Sequence, residues 1–291
     1  MEKLKQGSDE WFMSRIGFVA GSTVGAILGL SPFMKRDDVM RNMVREWHGS
    51  LSEFVGNVAT EYGIFHEHLA KSDYEMKSSV NVESTDFHKR DNWIGASPDG
   101  LIGDDGLIEI KCPFSVKDDK APAFKDIADL PHYYAQMQVQ MFVTKRLWCD
   151  FVQWNKYDMR VQTVRLDSAW LNKNLPALRQ FFDDYVVERE MNYKPHLEPR
   201  FQHISNAGMI SLANSLVALK ADIKAKQDDA DKILQLIIEG CNGKDSKIGN
   251  HKLLKCKKAG AISYGKALKA LLPDADLSDF IGSPIEYWRL T

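Results

Sequence analysis

With 291 residues, 44% of them apolar, the chain can build one large domain or a main domain with an appendage. No apolar stretch reaches the roughly 20 residues that span a bilayer, and the opening MEKLKQGSDEW lacks the apolar block of a secretory signal, so a cytoplasmic protein is expected. The formal net charge of -2 argues against a uniformly positive polyanion-binding surface, but the charge is uneven: Gly243 to Lys269 holds eight lysines against one acid, Asp245. Cys112, Cys149, Cys241 and Cys256 are scattered without C-x-x-C pairs, which argues against a zinc ribbon, an iron-sulfur cluster or a disulfide framework.

In chain order, the first segment reads as a short helix ending near Gly17, a turn, and a second helix with Ser22 placed to cap it. Helical patterns follow over 36–47 and 53–77. The period then changes to two: 79–84, 93–96 and 107–111 read as strands, with turns at Pro98-Asp99-Gly100 and Gly103 to Gly106. A helix over 131–143, strands over 147–154 and 161–166, and a helix over 168–190 complete the expected core. The domain limits are set at residues 1–195, with a linker over 196–205 and a module over 206–291. That module carries a long helix over 209–239 and a lysine-rich segment, Lys244 to Lys258, and closes on Tyr287 and Trp288, expected to pack rather than to stack on bases. The long helix is a candidate oligomerisation element and the lysines a candidate DNA contact, although a charge run is usually a solvated face.

Chemistry concentrates at S-P-D-G, Ser97 to Gly100, followed by E-I-K, Glu109 to Lys111. Side chains on a strand alternate faces, so Glu109 and Lys111 share one face while Ile110 turns into the core. Turns on either side of Leu101 bring Asp99 back beside Glu109, giving two hard oxygen donors suited to Mg²⁺ or Mn²⁺. Such an ion would also restore positive charge where a polyanion lies. Glu67, on the preceding helix, is within reach of the same point, and Gln136, on the following helix, is placed to bond a water or a phosphate oxygen. His66 and His68 are two apart, so their side chains diverge and they do not form an i, i+4 metal pair. Gln138 and Gln140 read as structural.

This pattern resembles the PD-(D/E)XK nuclease superfamily, and within it the YqaJ-like viral recombinases, the lambda exonuclease family. The likeness runs through Asp9-Glu10-Trp11, Arg15-Ile16-Gly17, Ala20-Gly21-Ser22, Gly63 to Glu67, Ala96 to Leu101, Glu109 to Phe114 and Ala135 to Thr144. It implies an α/β (α+β) fold, a central mixed sheet flanked by helices, to which the pattern of the later residues adds a C-terminal helical and hairpin module. It also implies that Glu67, Asp99 and Glu109 hold one or two Mg²⁺, with the Ile110 carbonyl as an extra ligand, that Lys111 is catalytic and that Gln136 assists it. Arg15, Ser22 and Ser97 would then bind the 5′-phosphate of a DNA end. The implied activity is digestion of one strand of linear duplex DNA from its 5′ end, leaving a 3′ overhang for a single-strand annealing protein, by a closed homo-oligomer that is a trimeric ring in the lambda member. Residues from about 200 onward have no counterpart in that compact enzyme. The alternatives are an endonuclease of the same superfamily and a non-catalytic DNA-binding recombination protein.

Overall fold

A computed structural model of the chain describes residues 8–50, 53, 56–201, 204–256 and 271–272. Two compact units, Met1–Arg200 and Phe201–Thr291, make up the chain. Among the described residues no helix is long and apolar enough to cross a membrane.

The first unit begins with α1 (Asp9–Arg15), capped by Ser8, whose Oγ accepts from Trp11 N at 3.2 Å. Gly17, at φ +85°, then turns the chain into β1 (Val19–Ala20). The expected Ser22 cap does not form. Ser22 lies exposed inside a 3₁₀ turn, Gly21–Thr23, and α2 (Val24–Ile27) starts only after it, without a side-chain cap. Packing sets this path: a Cβ on Gly25 would meet His132 Cβ at 2.7 Å and its Cα at 2.9 Å, so the backbones approach more closely than any side chain permits.

Helix α3 (Arg36–Trp47) has the expected limits, but α4 (Val58–Ser78) starts five residues later than its apolar period suggests. Glu53 is drawn away to Arg41, with Nε–Oε2 and Nη2–Oε1 distances of 2.8 and 2.7 Å. Asn57 takes over as cap, its Oδ1 accepting from Ala59 N and Thr60 N.

Five short strands follow: β2 (Val82–Glu83), β3 (His88–Arg90), β4 (Ile94–Ala96), β5 (Gly100–Ile102) and β6 (Gly106–Lys111). The strand expected over 79–84 shrinks to β2, because Ser79 closes α4 in the left-handed region at φ 56°. Next come α5 (Pro131–Thr144), β7 (Trp148–Trp154), β8 (Met159–Arg165), α6 (Ser168–Met191) and α7 (Lys194–Leu197). The main sheet has the order β2-β5-β6-β7-β8, antiparallel except for the parallel pair β6 and β7, whose connection carries α5. A smaller sheet, β1-β4-β3, stands beside it.

Alternation along β6 decides what packs where. Ile108 and Ile110 join Ala70 and Tyr74 of α4 with Val152 and Trp154 in one core cluster. Leu107 joins Met137 and Met141 of α5 with Cys149 and Phe151 in another. Period two therefore sends the even residues of β6 toward α4 and the odd ones, Glu109 among them, toward α5.

The start of the stretch expected as a linker is tied down instead. Arg41 Nη1 donates to the Pro195 carbonyl at 3.0 Å, and Arg45 Nη1 donates to the carbonyls of His196 and Leu197 at 3.0 and 2.9 Å. These bonds hold α7 to α3, which explains why the first unit runs to Arg200.

The second unit contains α8 (Ala207–Gly240) and a hairpin of β9 (Ser246–Ile248) and β10 (His251–Leu253). Tyr287, Trp288 and the last two residues of the expected lysine-rich segment, Lys257 and Lys258, lie outside the described residues.

Candidate active site

The site grows out of β6. Glu109 is only 1% exposed, and a bare carboxylate at that depth is costly, so every nearby donor is directed at it. Lys111 Nζ, two residues along the same strand face, donates to Oε1. Gln136 Nε2 donates to the same oxygen at 2.7 Å, and Gln140 Nε2 to Oε2 at 2.6 Å. These two glutamines are one turn apart on α5 and face the sheet together. Lys111 also sits 5.0 Å from the ring centroid of Tyr133, from the first turn of α5.

Asp99 arrives from the other side, at the end of the β5 ladder. Its N–H donates to the Ile108 carbonyl at 3.2 Å, and its Oδ2 accepts from Ile110 N at 2.6 Å, replacing a strand partner with a carboxylate. Gly100 makes this possible, since a Cβ there would meet Val82 Cγ1 at 2.2 Å.

Electrostatics identify what the cluster is short of. Burial raises the Asp99 carboxyl well above the ordinary range, and the charge of Glu109 adds to this. Glu67, partly buried on α4, is raised for the same two reasons in the same order. Burial opposes the charge on Lys111, but Glu109 and Asp99 outweigh it and its ammonium is held more firmly than usual. Lys111 thus faces three acids, and Lys71 acts on Glu67 as well. Among the described residues no three His, Cys, Asp or Glu side chains are gathered into a ready-made metal cage; Asp99 and Glu109 are neighbours, and Glu67 acts on both at longer range. The donor set still fits a hard divalent cation, because it consists of carboxylate oxygens carrying more negative charge than Lys111 offsets.

The other expected residues are placed as follows. Ser97 lies between β4 and Asp99, and its Oγ is buried without a hydrogen-bond partner. Gly21 packs against α5 at the glutamines, a Cβ there coming within 3.6 Å of Gln140 Cγ and 3.7 Å of the Gln136 carbonyl, so the turn bearing Ser22 borders the site. The Arg15 guanidinium stacks on Trp11 at 4.3 Å and Phe87 at 5.7 Å. Burial lowers its pKa, and Glu46 partly opposes that. Among the described residues no hydrogen bond joins Arg15, Ser22 and Ser97 to one another. His66 is occupied by the Tyr62 carbonyl at 2.8 Å. Burial pushes the Cys112 thiol up to about 12, so it stays protonated and inert.

Gln140 is the residue whose part in the site the sequence hides. Gln138 is structural as expected, bonding the Arg165 carbonyl and Asp167 N at 2.8 and 2.7 Å, but Gln140 holds Glu109. Spacing of four from Gln136 was the available signal. Replacing Gln140 with leucine is expected to lower the turnover rate about 10- to 100-fold, the usual range for a group that orients a ligand, with KM little changed. Steady-state digestion by the folded variant checks this, and an unaltered rate would make Gln140 a packing residue.

A mixed sheet with an acid and a lysine on one face of its central strand, an aspartate at the adjacent strand end and a glutamine-bearing helix above defines a nuclease of the PD-(D/E)XK type. Residues 10–146, a little under half of the chain, match the YqaJ-like viral recombinase domain. Among solved structures it is similar to the alkaline exonuclease LHK-Exo from Laribacter hongkongensis, with 27% identity, a TM-score of 0.53, and coverage of 65% of this chain and 97% of that one. For the complex of LHK-Exo with dAMP the identity is 28% and the TM-score 0.54, with the same coverage. It is also 26% identical over 166 residues to Uncharacterized protein R354 of Acanthamoeba polyphaga mimivirus, covering 52% of this chain but only 29% of that protein.

Proposed function

We propose that this chain is a metal-dependent exonuclease that digests one strand of linear double-stranded DNA in the 5′-to-3′ direction, leaving 3′ overhangs for a single-strand annealing protein. The observation that carries the hydrolytic part is Glu109, buried in the central strand with both oxygens held by Lys111, Gln136 and Gln140 and with Asp99 alongside.

Asp99, Glu109 and the Ile110 carbonyl, with Glu67 from α4, are the groups that would hold one or two Mg²⁺, or Mn²⁺ in its place. A bound ion supplies charge neutralisation and Lewis-acid polarisation at the phosphodiester. The chain's own residues do the rest. Lys111, firmly protonated, is a donor and not a base, so it orients the attacking water or offers an N–H to the charge developing on phosphorus. Gln136 and Gln140 fix the Glu109 carboxylate, so little reorganisation accompanies the reaction. Arg15, Ser22 and Ser97 supply a guanidinium and two hydroxyls for the terminal phosphate, and the unpartnered Ser97 Oγ has no competing bond to give up. A closed homo-oligomer, a trimeric ring, would keep such an enzyme on its substrate.

The test compares linear duplex bearing 5′-phosphate, linear duplex bearing 5′-hydroxyl, and closed circular duplex. Digestion of phosphorylated ends, slower digestion of hydroxyl ends and an intact circle are expected; rapid cutting of the circle would make the protein an endonuclease, and no digestion at all would leave a DNA-binding protein. Arg15→Ala is expected to lower digestion of phosphorylated ends about tenfold or more, since a charge-assisted contact contributes about 1.5–3 kcal/mol, while hydroxyl ends change little. Equal losses on both ends would remove Arg15 from the phosphate pocket.

A further inference from the structure

Helix α8 is 34 residues long and buries none of them. In proteins most helical stability comes from packing one amphipathic face rather than from intrinsic propensity, so its exposed apolar residues indicate what is missing. Met209, Leu212, Leu216, Leu219 and Ile223 recur at alternating intervals of three and four, and all are exposed. The same rhythm continues through Lys226 and Ala230 to exposed Ile233 and Ile237. Exposed Ile210, Val217, Leu234 and Leu236 flank this row, but its mean period of 3.5 over four heptads is that of a seam between supercoiled helices, whereas the stripe of a helix lying on a globular core repeats at 3.6.

We propose that α8 pairs with α8 of a second copy of this chain as an antiparallel two-stranded coiled coil. Size complementarity sets the orientation. In a parallel pair each seam residue meets itself, which stacks Lys226 on Lys226 and leaves Ala230 opposite Ala230, a like-charge clash next to a gap. Turning one helix around places Lys226 opposite Ile223, Leu219 opposite Ala230, Leu216 opposite Ile233 and Leu212 opposite Ile237. The flanking positions agree, since Leu234 then meets Ala213 and Leu236 meets Ser215, large against small each time. The same register brings Asp222 near Asp229, but each acid already has a lysine on its own helix, Lys226 at 2.7 Å and Lys232 at 3.1 Å. The seam is also large enough. At about 100 Å² for each large apolar knob on both helices it removes on the order of 1,400 Å² from water, within the range of stable specific interfaces.

The full-length chain tests this by sedimentation equilibrium. Leu219→Glu is expected to halve the mass of the assembly, because in the trimeric ring proposed above three helices cannot all pair within one ring and α8 therefore joins two rings, and to lower the helical circular dichroism. The near-ultraviolet spectrum, to which the first unit contributes six of the seven tryptophans, should stay largely unchanged. Lys226→Leu combined with Asp222→Ser is expected to tighten self-association about tenfold or more, because it replaces a buried ammonium stem with an apolar knob and removes the acid which that lysine neutralised, while Lys224→Leu on the outer face leaves it alone. In a Cys241→Ser, Cys256→Ser background, a mixture of Leu219→Cys and Ala230→Cys chains should oxidise to the mixed disulfide in preference to either self-pair. Equal masses for the wild-type and Leu219→Glu chains would overturn the pairing, and preferential self-linking at 219 would overturn the antiparallel orientation. Neither readout depends on nuclease activity.

Discussion

Alanine at position 109 is expected to reduce digestion of linear duplex DNA by on the order of 10³-fold or more, while the protein stays folded. The activity term follows from the proposed role: a carboxylate that anchors the cation and positions Lys111 contributes several kcal/mol to the transition state, and each 1.36 kcal/mol is a factor of ten. The stability term has two opposing parts. Removing Glu109 strands the half-buried amide of Gln136 and the buried amide of Gln140, which costs about 1–3 kcal/mol for each donor left unpaired, and it takes from Lys111 its hydrogen-bonded partner, leaving Asp99 and Glu67 to balance that charge. It also relieves the repulsion that, after burial, raises Asp99 and Glu67. The net change is therefore a few kcal/mol at most, or a fall in Tm of some 2–4 °C per kcal/mol in a chain of this size. Glutamine at 109 is no milder control, because its amide would present N–H groups to one of the two glutamines and replace an acceptor with a donor. Measuring rate and Tm on the same preparations separates the terms. A folded Glu109→Ala protein that keeps a tenth of the wild-type rate would remove Glu109 from the chemistry.

The legible parts of this site were those in which local geometry and chemistry coincide. Glu109-Ile110-Lys111 could be read because strand alternation fixes which side chains share a face, and the core clusters follow that alternation. Strands β3 and β5 escaped for opposite reasons. His88-Lys89-Arg90 has no apolar face to signal a strand, and Gly100-Leu101-Ile102 begins in turn residues whose extended pairing is imposed by β6. Ser22 was misread as a cap because its identity fits one, whereas the close approach of Gly25 to His132, a contact between residues more than a hundred apart, sets where α2 begins. Gln140 was missed because a glutamine on a helix looks alike whether it faces solvent, a backbone carbonyl or a buried carboxylate. Long-range contact, invisible in local pattern, decided each of these cases.

Removing divalent cations with a chelator is expected to abolish digestion, and the stabilisation that Mg²⁺ or Mn²⁺ gives the folded chain should increase with pH. The sign follows from the acids. Without a cation, burial and then the Glu109 charge raise the folded-state pKa of Asp99 and Glu67 above their unfolded values of about 4. The folded state then binds more protons than the unfolded one, so this contribution to stability is fully present below the unfolded pKa and is lost as pH rises through the folded values. Ionised, the two carboxylates repel each other and Glu109 in a poorly hydrated site, and burial and this repulsion outweigh the compensation from Lys111 and, at Glu67, from Lys71. A divalent cation reverses this balance by binding only the ionised form, so protons and metal compete for the same oxygens. The shift in Tm on adding excess Mg²⁺ should therefore be small near pH 5 and larger at pH 8, and Asp99→Asn should flatten that dependence. A Tm shift that does not change with pH in the wild-type chain would mean the stabilising cation sits away from these carboxylates, and unimpaired digestion in chelator would exclude a metal-dependent reaction altogether. Under the proposed metal dependence, raised acids beside a firmly protonated lysine also assign the proton traffic: an entering cation would displace protons from Asp99 and Glu67 and leave the one on Lys111 in place.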